Sequence, residues 1–290
     1  MADSDKFATM PQTPPVVLTI AGFDPSSGAG ISADIKTIAA HGCYGVAAIT
    51  AMTVQSTAGV RRVSPLGPHF LVDTLQELTA DIQVSAVHIG MLGSGKIATR
   101  VSEFLEKAKL PNVVLDPILK SSSGADLLDA TGVAVLTQRL FALADVITPN
   151  AHEAAALTGV EVSTVDDMRQ AAQRLHEMGA KGVVITGGHL EKATDLLSLK
   201  GEYVQVFRAD RLQSEHTHGT GCAFSTTIAC QLAQERSLSA AILLAKAYVT
   251  DAIINGYDLG KGISSVNHMY RMKNHPRALG FAKKFASGKD

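Results

Sequence analysis

The sequence of 290 residues contains no tryptophan and only three cysteines, Cys43, Cys222 and Cys230. Three scattered cysteines without CxxC spacing are too few for a disulfide framework and do not form a zinc-binding pattern. The formal net charge is −1, and like charges do not occur in blocks. A broad electrostatic surface for nucleic acid or for a membrane is therefore excluded, whereas a small neutral or anionic ligand is not.

Long apolar runs and a leader pattern are also missing. No apolar run is long enough to span a bilayer, and MADSDKFATMPQTPP lacks a basic segment followed by an apolar one. We expect a cytoplasmic protein with a flexible N-terminal tail over residues 1–15. One domain is expected over residues 16–275, followed by a C-terminal tail over residues 276–290.

What the sequence has is an alternation of short apolar runs and amphipathic segments. The runs, rich in Val and Ile, predict buried strands at residues 16–20, 45–52, 86–90, 112–116, 145–149 and 182–186. Helices between nearly continuous apolar strands are typical of a parallel sheet covered on both faces. Residues 194–200 and 202–209 predict a hairpin at the sheet edge. The fold class is therefore α/β, a three-layer α/β/α sandwich with a mostly parallel central sheet.

Ligands of open α/β sheets bind beyond the carboxyl ends of the strands, so the residues that follow each strand are the candidates. After the first strand, AGFDPSSGAG leads into a helix, where Gly28 and Gly30 permit close backbone approach and Asp34 lies on the first turns. The segment does not match GxGxxG in register, which argues against a dinucleotide-binding oxidoreductase. A tight turn with Asp34 on a solvated surface is the alternative.

Gln55 and Met91, which follow the next two predicted strands, are suited to bind a flat ring. The amide of Gln55 offers a donor and an acceptor side by side, which fits a heteroaromatic edge that carries a ring nitrogen and an amino group. Met91 follows the third strand, where a polarizable thioether can lie against a ring face. An exposed loop glutamine and an ordinary core methionine are the alternative interpretations.

Asn150 and Glu153 follow the fifth strand, three residues apart at a predicted helix start. Both side chains face one side there, and an amide with a carboxylate can hold a water-coordinated Mg²⁺ beside phosphate. The same pattern is also that of a helix cap, with Asn150 as N-cap and Glu153 as its partner. After the sixth strand, Thr186 precedes Gly187 and Gly188, which either admit a nucleotide or form a simple turn.

The segment GTGC, residues 219–222, meets the N-terminus of an apolar helix. The N–H groups of Thr220, Gly221 and Cys222 are expected to point into one concavity and form an anion site. The same field is expected to lower the pKa of Cys222. Its thiolate would then take a proton from a substrate hydroxyl while the anion site stabilises a phosphoryl group in transfer. A small buried cysteine near a helix end is the alternative.

The order of these motifs resembles that of the hydroxymethylpyrimidine/phosphomethylpyrimidine kinases of thiamine (vitamin B1) biosynthesis, in the ribokinase-like superfamily. Matching segments cover nearly all of residues 16–268 and include TIAGFDPSSGAGISADIKT, AITAMTVQSTAGV, HIGMLGS, VVLDPIL, ITPNAHEAAALTG and THGTGCAFSTTIA. The resemblance implies a ribokinase-like fold, ATP as phosphoryl donor and Mg²⁺ as the metal. It implies phosphorylation of the hydroxymethyl group of 4-amino-5-hydroxymethyl-2-methylpyrimidine, and then of the monophosphate.

The resemblance also implies roles for single residues. Cys222 takes the place of the catalytic base, beside an anion hole formed by Gly219, Thr220 and Gly221. The pyrimidine pocket is implied for Gly22, Ala29, Asp34, Gln55 and Met91. The nucleotide site is implied for Asp116, Asn150, Thr186, Gly188 and Thr220, with Asn150 and Glu153 reaching Mg²⁺ through water. By analogy, the chain is expected to form a homodimer. Its other partners are expected to be the small-molecule substrate and ATP, with no nucleic acid and no membrane.

Some positions depart from the family pattern. Thr186 stands where a lysine directed at the ATP phosphates is common, and Lys120 lies two places earlier than the family's lysine. Ser264 and Ser265 stand where a Gly-Pro pair is usual. A catalytically silent pyrimidine sensor is therefore an alternative, and a pyridoxal or pyridoxine kinase is a second one.

Overall fold

A computed structural model of the chain describes residues 13–188, 192–200 and 203–272. Residues 1–12 of the predicted N-terminal tail and the whole predicted tail over 276–290 lie outside these ranges. The predicted domain boundaries therefore stay predictions.

A nine-stranded sheet runs through the centre in the order β3-β2-β1-β4-β5-β6-β7-β8-β9. Its strands are β1 (Val16–Phe23), β2 (Tyr44–Ser56), β3 (Gly59–Pro65), β4 (Ala86–Ile89), β5 (Val113–Leu115), β6 (Val146–Ile147), β7 (Gly182–Gly187), β8 (Ala193–Leu199) and β9 (Tyr203–Ala209). Neighbouring strands in the series β2, β1, β4, β5, β6 and β7 pair in parallel. The edge strand β3 pairs antiparallel with β2, and β8 pairs antiparallel with β7 and with β9. The mostly parallel sheet and its β8–β9 edge hairpin confirm the prediction.

The helices form two layers. In chain order they are α1 (Gly30–Ala40), α2 (Pro68–Asp81), α3 (Gly95–Ala108), α4 (Ala130–Val135), α5 (Phe141–Leu143), α6 (Ala151–Thr158), α7 (Val165–Glu177), α8 (Thr220–Ala233) and α9 (Leu238–Ile254), with a π-helical turn between α4 and α5. Successive residues of β1 face opposite cores. Leu18 and Ile20 belong to the core that includes α2, α3 and α7, while Val17 belongs to the core with α8 and α9. The predicted three layers are confirmed.

The hairpin of β2 and β3 was not predicted. β3 carries the exposed Arg61 and Arg62 and lies at the sheet edge, so it lacks the apolar signal by which buried strands are predicted. Gln55 lies within β2, where it pairs with Val60 and is half-buried. The interpretation of Gln55 as an exposed loop residue is therefore wrong.

A second, two-stranded sheet joins β10 (His216–His218) to β11 (Ser264–Ser265) in parallel. It holds the segment before α8 against the chain that follows α9. Within the described ranges, no helix has the length and apolar character needed to span a lipid bilayer.

Candidate active site

The N-terminus of α8 is formed by backbone alone and has no side-chain cap among the described residues. Gly219 is the N-cap residue at φ 83°, in the left-handed region that favours glycine. A Cβ at this position would overlap the carbonyl oxygen of Gly28. No side chain in the described part of the chain caps this helix. The N–H groups of its first turn, at Thr220, Gly221 and Cys222, are therefore not occupied by a side-chain cap and can bind an anion.

Cys222 lies where two helices begin. Its sulfur accepts a hydrogen bond from the backbone N–H of Gly30, at the start of α1, and the residue is 8% exposed. Burial, followed by the negative charges of Asp34 and Asp116, raises its pKa well above the ordinary value. The predicted lowering of this pKa is wrong, because desolvation and two nearby carboxylates outweigh the hydrogen-bond donor. The thiol is protonated at neutral pH in this structure.

The loop between β1 and α1 is tied to the segment before α8 by Asp24. Its Oδ1 accepts hydrogen bonds from the backbone N–H (2.8 Å) and hydroxyl (2.6 Å) of Ser26, and its Oδ2 accepts one from the N–H of Ala29 (2.9 Å). His218 Nε2 lies 3.0 Å from the same Oδ2. Burial alone would raise the pKa of Asp24, but the bonds from His218 and Ser26 lower it below its ordinary value. The sequence signal for this turn is Asp-Pro-Ser-Ser, residues 24–27.

The pocket residues implied by the resemblance come together around this loop. The Nε2 atoms of Gln55 and His218 lie 3.4 Å apart, and Thr53 donates a hydrogen bond to Gln55 Oε1 at 3.2 Å. On the other side, Met91 packs on Gly22, since a Cβ at Gly22 would lie 2.8 Å from Met91 Cε. The structure thus places an amide and a thioether beside the loop that carries Ala29.

Asp34 lies beneath the pocket. The residue has no exposed surface. Its Oδ2 accepts a hydrogen bond from Thr19 Oγ1 (2.7 Å), and its Oδ1 accepts one from Thr226 Oγ1 (2.9 Å). His88 Nδ1 lies 3.3 Å from Oδ2. The solvated-surface interpretation of Asp34 is wrong, and its carboxylate faces protein donors in this structure.

Asp116 and Glu153 form a buried acidic pair. Burial and then repulsion by Glu153 raise the pKa of Asp116 to about 8. Burial raises the pKa of Glu153 to about 7. A Cβ at Gly221 would lie 3.7 Å from Asp116 Oδ2, so this carboxylate adjoins the start of α8. Buried carboxylates that repel one another favour a nearby cation, and their oxygens suit a hard divalent one.

Asn150 and Glu153 form a capping box at the start of α6. Asn150 Oδ1 accepts hydrogen bonds from the N–H groups of His152 (2.9 Å) and Glu153 (3.0 Å), and Glu153 Oε2 accepts one from the N–H of Asn150 (2.9 Å). The cap interpretation is confirmed. The box uses the amide oxygen of Asn150 and not its amide nitrogen. Across the described residues, no cluster of three or more His, Cys, Asp or Glu side chains forms a complete metal site.

The end of β7 lies beside α6. The N–H of Thr186 donates to Pro149 O at 3.0 Å, and Thr186 pairs with Asp195 of β8. Asp195 accepts a hydrogen bond from Lys246 Nζ of α9 at 2.7 Å, in a largely buried ion pair. Sequence reasoning missed this lysine because its partner is 51 residues away in the chain. Around Gly188, no described atom lies within 4 Å of a Cβ position.

A cavity of about 640 Å³ lies directly upstream of the α8 N-terminus. It is bordered by the end of α9 and by the segment that leads into β10, and its lining is Leu212, Gln213, Ser214, Glu215, His216, Ile253, Ile254, Gly256 and Asp258. His216 Nε2 and Asp258 Oδ1 lie 2.8 Å apart at its wall. Nothing in the sequence pattern indicated this cavity.

The sequence model of the phosphomethylpyrimidine kinase family matches residues 24–267. The chain belongs to this family. The hydroxymethylpyrimidine/phosphomethylpyrimidine kinase of Haemophilus influenzae is 40% identical over 257 residues, which cover 87% of this chain and 96% of that protein. The thiamine biosynthesis bifunctional protein ThiED of Geobacter sulfurreducens is 43% identical over 255 residues. That match covers 87% of this chain but only 52% of the relative, so the chain spans about half of the bifunctional protein.

Solved structures of two kinases share the fold. The pyridoxal kinase of Bacillus subtilis, in an ADP complex, superposes with a TM-score of 0.83 at 35% identity and covers 90% of this chain and 100% of that chain. The phosphomethylpyrimidine kinase of Clostridium difficile gives a TM-score of 0.74 at 38% identity, over 82% of this chain and 99% of that chain. This chain therefore has the ribokinase-like fold that its motifs predicted.

Proposed function

We propose that this chain is an ATP-dependent kinase that phosphorylates the hydroxymethyl group of 4-amino-5-hydroxymethyl-2-methylpyrimidine and then the monophosphate, as a step in thiamine biosynthesis. The observation that carries the proposal is the convergence of three features at one sheet edge. They are the α8 N-terminus without a side-chain cap, the Cys222 thiol, and the Gln55 amide beside the β1–α1 loop.

The pyrimidine ring binds between Gln55 and Met91 in this proposal. The Gln55 amide matches the ring nitrogen and amino group with one donor and one acceptor. Met91, Gly22 and Ala29 supply a flat wall, since Met91 already lies against Gly22. Asp34 acts from behind the pocket, because its oxygens are engaged by Thr19 and Thr226.

The hydroxyl is deprotonated by Cys222. The pKa of Cys222 in this structure is raised by burial and by the carboxylates around it, so a fall in this pKa has to accompany ligand binding. The N–H of Gly30 and the start of α8 favour the thiolate once the carboxylate charge is compensated. The N–H groups of Gly219, Thr220 and Gly221 stabilise negative charge on the phosphoryl group during transfer.

The nucleotide occupies the other half of the edge. Thr186, Gly188, Thr220 and Asp116 face the phosphates in this proposal. Asp116 and Glu153 fit a divalent cation, since both are carboxylates whose pKa is raised by burial without full compensation. Asn150 and Glu153 would hold Mg²⁺ through water, and the ion would neutralise charge on the phosphates.

The purified chain tests the proposal directly. Incubation with ATP, Mg²⁺ and the pyrimidine alcohol is expected to release ADP and to give a monophosphate and a diphosphate, identified by mass spectrometry. A folded chain that binds the alcohol but forms neither product would instead be a pyrimidine sensor, and the kinase proposal would be wrong.

Vitamin B6 alcohols are the second candidate substrate, because the pyridoxal kinase of B. subtilis superposes over 90% of this chain. A pyridine offers a ring nitrogen without the adjacent amino group, so the Gln55 amide loses one of its two partners. We therefore expect a higher kcat/KM for the pyrimidine alcohol than for pyridoxal or pyridoxine. The reverse order would assign the chain to the vitamin B6 alcohols.

We also propose that the chain acts in the cytoplasm as a homodimer. Its three cysteines are unpaired and buried, as in a reducing compartment. Met52 and Val54 of β2 and Phe70 of α2 are exposed apolar side chains that a second copy would cover. Sedimentation equilibrium is expected to give twice the chain mass, and exchange of Phe70 for Glu is expected to weaken the assembly. A monomer at all concentrations would contradict this proposal.

A further inference from the structure

A buried polar network lies beneath the site, between β1, β4 and α8. Five of its side chains have no exposed surface, namely Thr19, Asp34, His88, Ser225 and Thr226. His88 is its centre. One ring nitrogen, Nδ1, lies 3.3 Å from Asp34 Oδ2, and the other, Nε2, lies 2.9 Å from Ser225 Oγ. Ser225 Oγ in turn lies 3.4 Å from Asp116 Oδ2. The network therefore joins the underside of the pyrimidine pocket to Asp116 at the start of α8.

His88 holds the Ser225 hydroxyl oxygen in place. Asp34 already accepts hydrogen bonds from Thr19 and Thr226, so Nδ1 of His88 is a donor toward it. Burial alone would lower the pKa of His88, but the charges of Asp34 and Asp116 and the bond to Asp34 raise it above its ordinary value. Nε2 of His88, 2.9 Å from Ser225 Oγ, fixes the position of that oxygen. The hydroxyl is thereby held where oxygen acceptors lie on its other side.

Three acceptors surround that hydroxyl. They are Asp116 Oδ2 and the carbonyl oxygens of Gly221 (3.1 Å) and Cys222 (3.2 Å). Of these three acceptors, Asp116 alone lies outside α8, so a bond to it ties α8 to the end of β5. Asp116 Oδ2 adjoins Gly221 and lies within reach of a hydroxyl donor. Ser225, held by His88, supplies that donor from one turn inside α8.

We propose that His88 and Ser225 are positioning residues that hold the Asp116 carboxylate against the N-terminus of α8 for phosphoryl transfer. The proposal rests on the kinase function proposed above. Neither residue touches the substrate, since both are fully buried, and both act through Asp116. The pair also links the nucleotide half of the site to Asp34, under the pyrimidine half.

Ser225→Ala is the first test. Loss of a hydrogen bond to a charged group is expected to lower kcat by about tenfold to a hundredfold, while KM for the pyrimidine alcohol changes by less than about threefold. Ser225→Thr keeps the hydroxyl and is expected to recover most of kcat. The matched control is Thr227→Ala, because Thr227 is also fully buried in α8 but its hydroxyl bonds only the carbonyl oxygen of Ala223 among the described residues. This control is expected to leave kcat unchanged.

The second test is the coupling between the two residues. His88→Gln is expected to lower kcat by a similar factor, and combining it with Ser225→Ala is expected to add little, because both changes remove the same support from Asp116. Melting temperatures separate misfolding from loss of positioning, and Ser225→Thr remains informative if His88→Gln does not fold.

The outcomes are distinct. A wild-type chain without turnover would refute the kinase function and the positioning role together. Wild-type turnover with equal kcat in Ser225→Ala and Thr227→Ala would refute the positioning role alone. Fully additive losses in the double variant would also refute it, because two independent sites would then be involved.

Discussion

The helices α6 and α8 begin at the same edge of the sheet, but the N-terminus of α6 has a side-chain cap and that of α8, among the described residues, does not. At α6, the Asn150 side chain accepts hydrogen bonds from first-turn N–H groups, and the Glu153 side chain accepts one from the N–H of Asn150, in a capping box. At α8, the N-cap is Gly219, and no described side chain caps the helix. A helix whose N–H groups are already bonded is stabilised by its own chain, whereas one whose N–H groups stay free is left to bind an anion from outside.

The charge around the two helix ends differs in the same sense. Glu153 places a carboxylate in the first turn of α6, which already interacts with the positive end of the helix dipole. The first turn of α8 contains no acidic residue. Its neighbours are a thiol, Cys222, and the carboxylate of Asp116 near Gly221. The comparison shows a helix end capped by its own side chains and one left open, at which we propose phosphoryl chemistry.

The largest effect is expected at the thiol of α8. Cys222→Ala removes the proposed general base and is expected to lower kcat by about a hundredfold to ten-thousandfold. Cys230→Ala is the matched control, since Cys230 is fully buried in the same helix and away from the edge. It is expected to keep kcat within about threefold of wild type. Steady-state kinetics with the pyrimidine alcohol measure both, and normal turnover of Cys222→Ala would remove the base assignment.

Gly219→Ala is expected to have the next largest effect. The new Cβ overlaps Gly28 O, and the residue must keep a positive φ, so about 1–3 kcal/mol of unfolding free energy is lost. The kcat/KM value is expected to fall as the anion site is displaced. Gly67→Ala is the control, because a Cβ there meets no described atom within 4 Å and the residue has a φ of −62°. Equal melting temperatures for the two variants would show that the backbone cap of α8 is not under constraint.

A buried histidine beside the α8 cap makes stability depend on pH. His268 Nε2 would lie 3.4 Å from a Cβ at Gly219, and it has no hydrogen-bond partner among the described residues. Burial, and then the charge of Lys36, lowers the pKa of His268 from 6.5 to about 4. The unfolded chain therefore binds a proton between these pH values that the folded chain does not, and stability falls as pH is lowered through this window.

The loss from this residue is expected to be about 3 kcal/mol over the whole window. Urea unfolding at pH 7 and at pH 4.5 measures it, with His268→Gln as the comparison. The variant is expected to lose less stability on acidification than wild type, although Asp24, whose pKa is lowered, still contributes a loss at the acid end. Identical pH dependence in both chains would contradict the assignment.

The smallest effect is expected at the cap of α6. Asn150→Ala is expected to cost about 1 kcal/mol of unfolding free energy, whereas Asn150→Ser keeps a capping oxygen and costs little. If Asn150 also reaches the metal and nucleotide, Ser will restore stability but not KM for ATP. If Ser restores both stability and KM for ATP, Asn150 is only a cap, and the difference in role between the α6 and α8 N-termini becomes clearer.

Much of the fold was predictable because its strands are apolar and short. The buried runs of β1, β4 and β5 carry their own signal, and so do the capping residues of α7, where Thr164 and Asp167 form a capping box. β3 was missed because an exposed edge strand has no such signal. β10 was also missed, since its three residues pair only with Ser264 and Ser265, far away in the chain.

The site was predictable where glycine and cysteine marked a helix start, and less so where partners come from afar. The GTGC segment placed the cap of α8 correctly. The pKa of Cys222 was predicted in the wrong direction, because the sequence does not show that Asp34 and Asp116 lie around a buried sulfur. The pairing of Asp24 with His218, 194 residues apart, could not be predicted from local pattern either.

A crystal structure with a non-hydrolysable ATP analogue, Mg²⁺ and the pyrimidine alcohol tests the contrast between α6 and α8 most directly. The terminal phosphate is predicted to lie about 3 Å from the N–H groups of the α8 first turn, with the hydroxymethyl oxygen beside Cys222. A phosphate bound at the start of α6, with the α8 N-terminus unoccupied and the sulfur facing away from both ligands, would contradict the account.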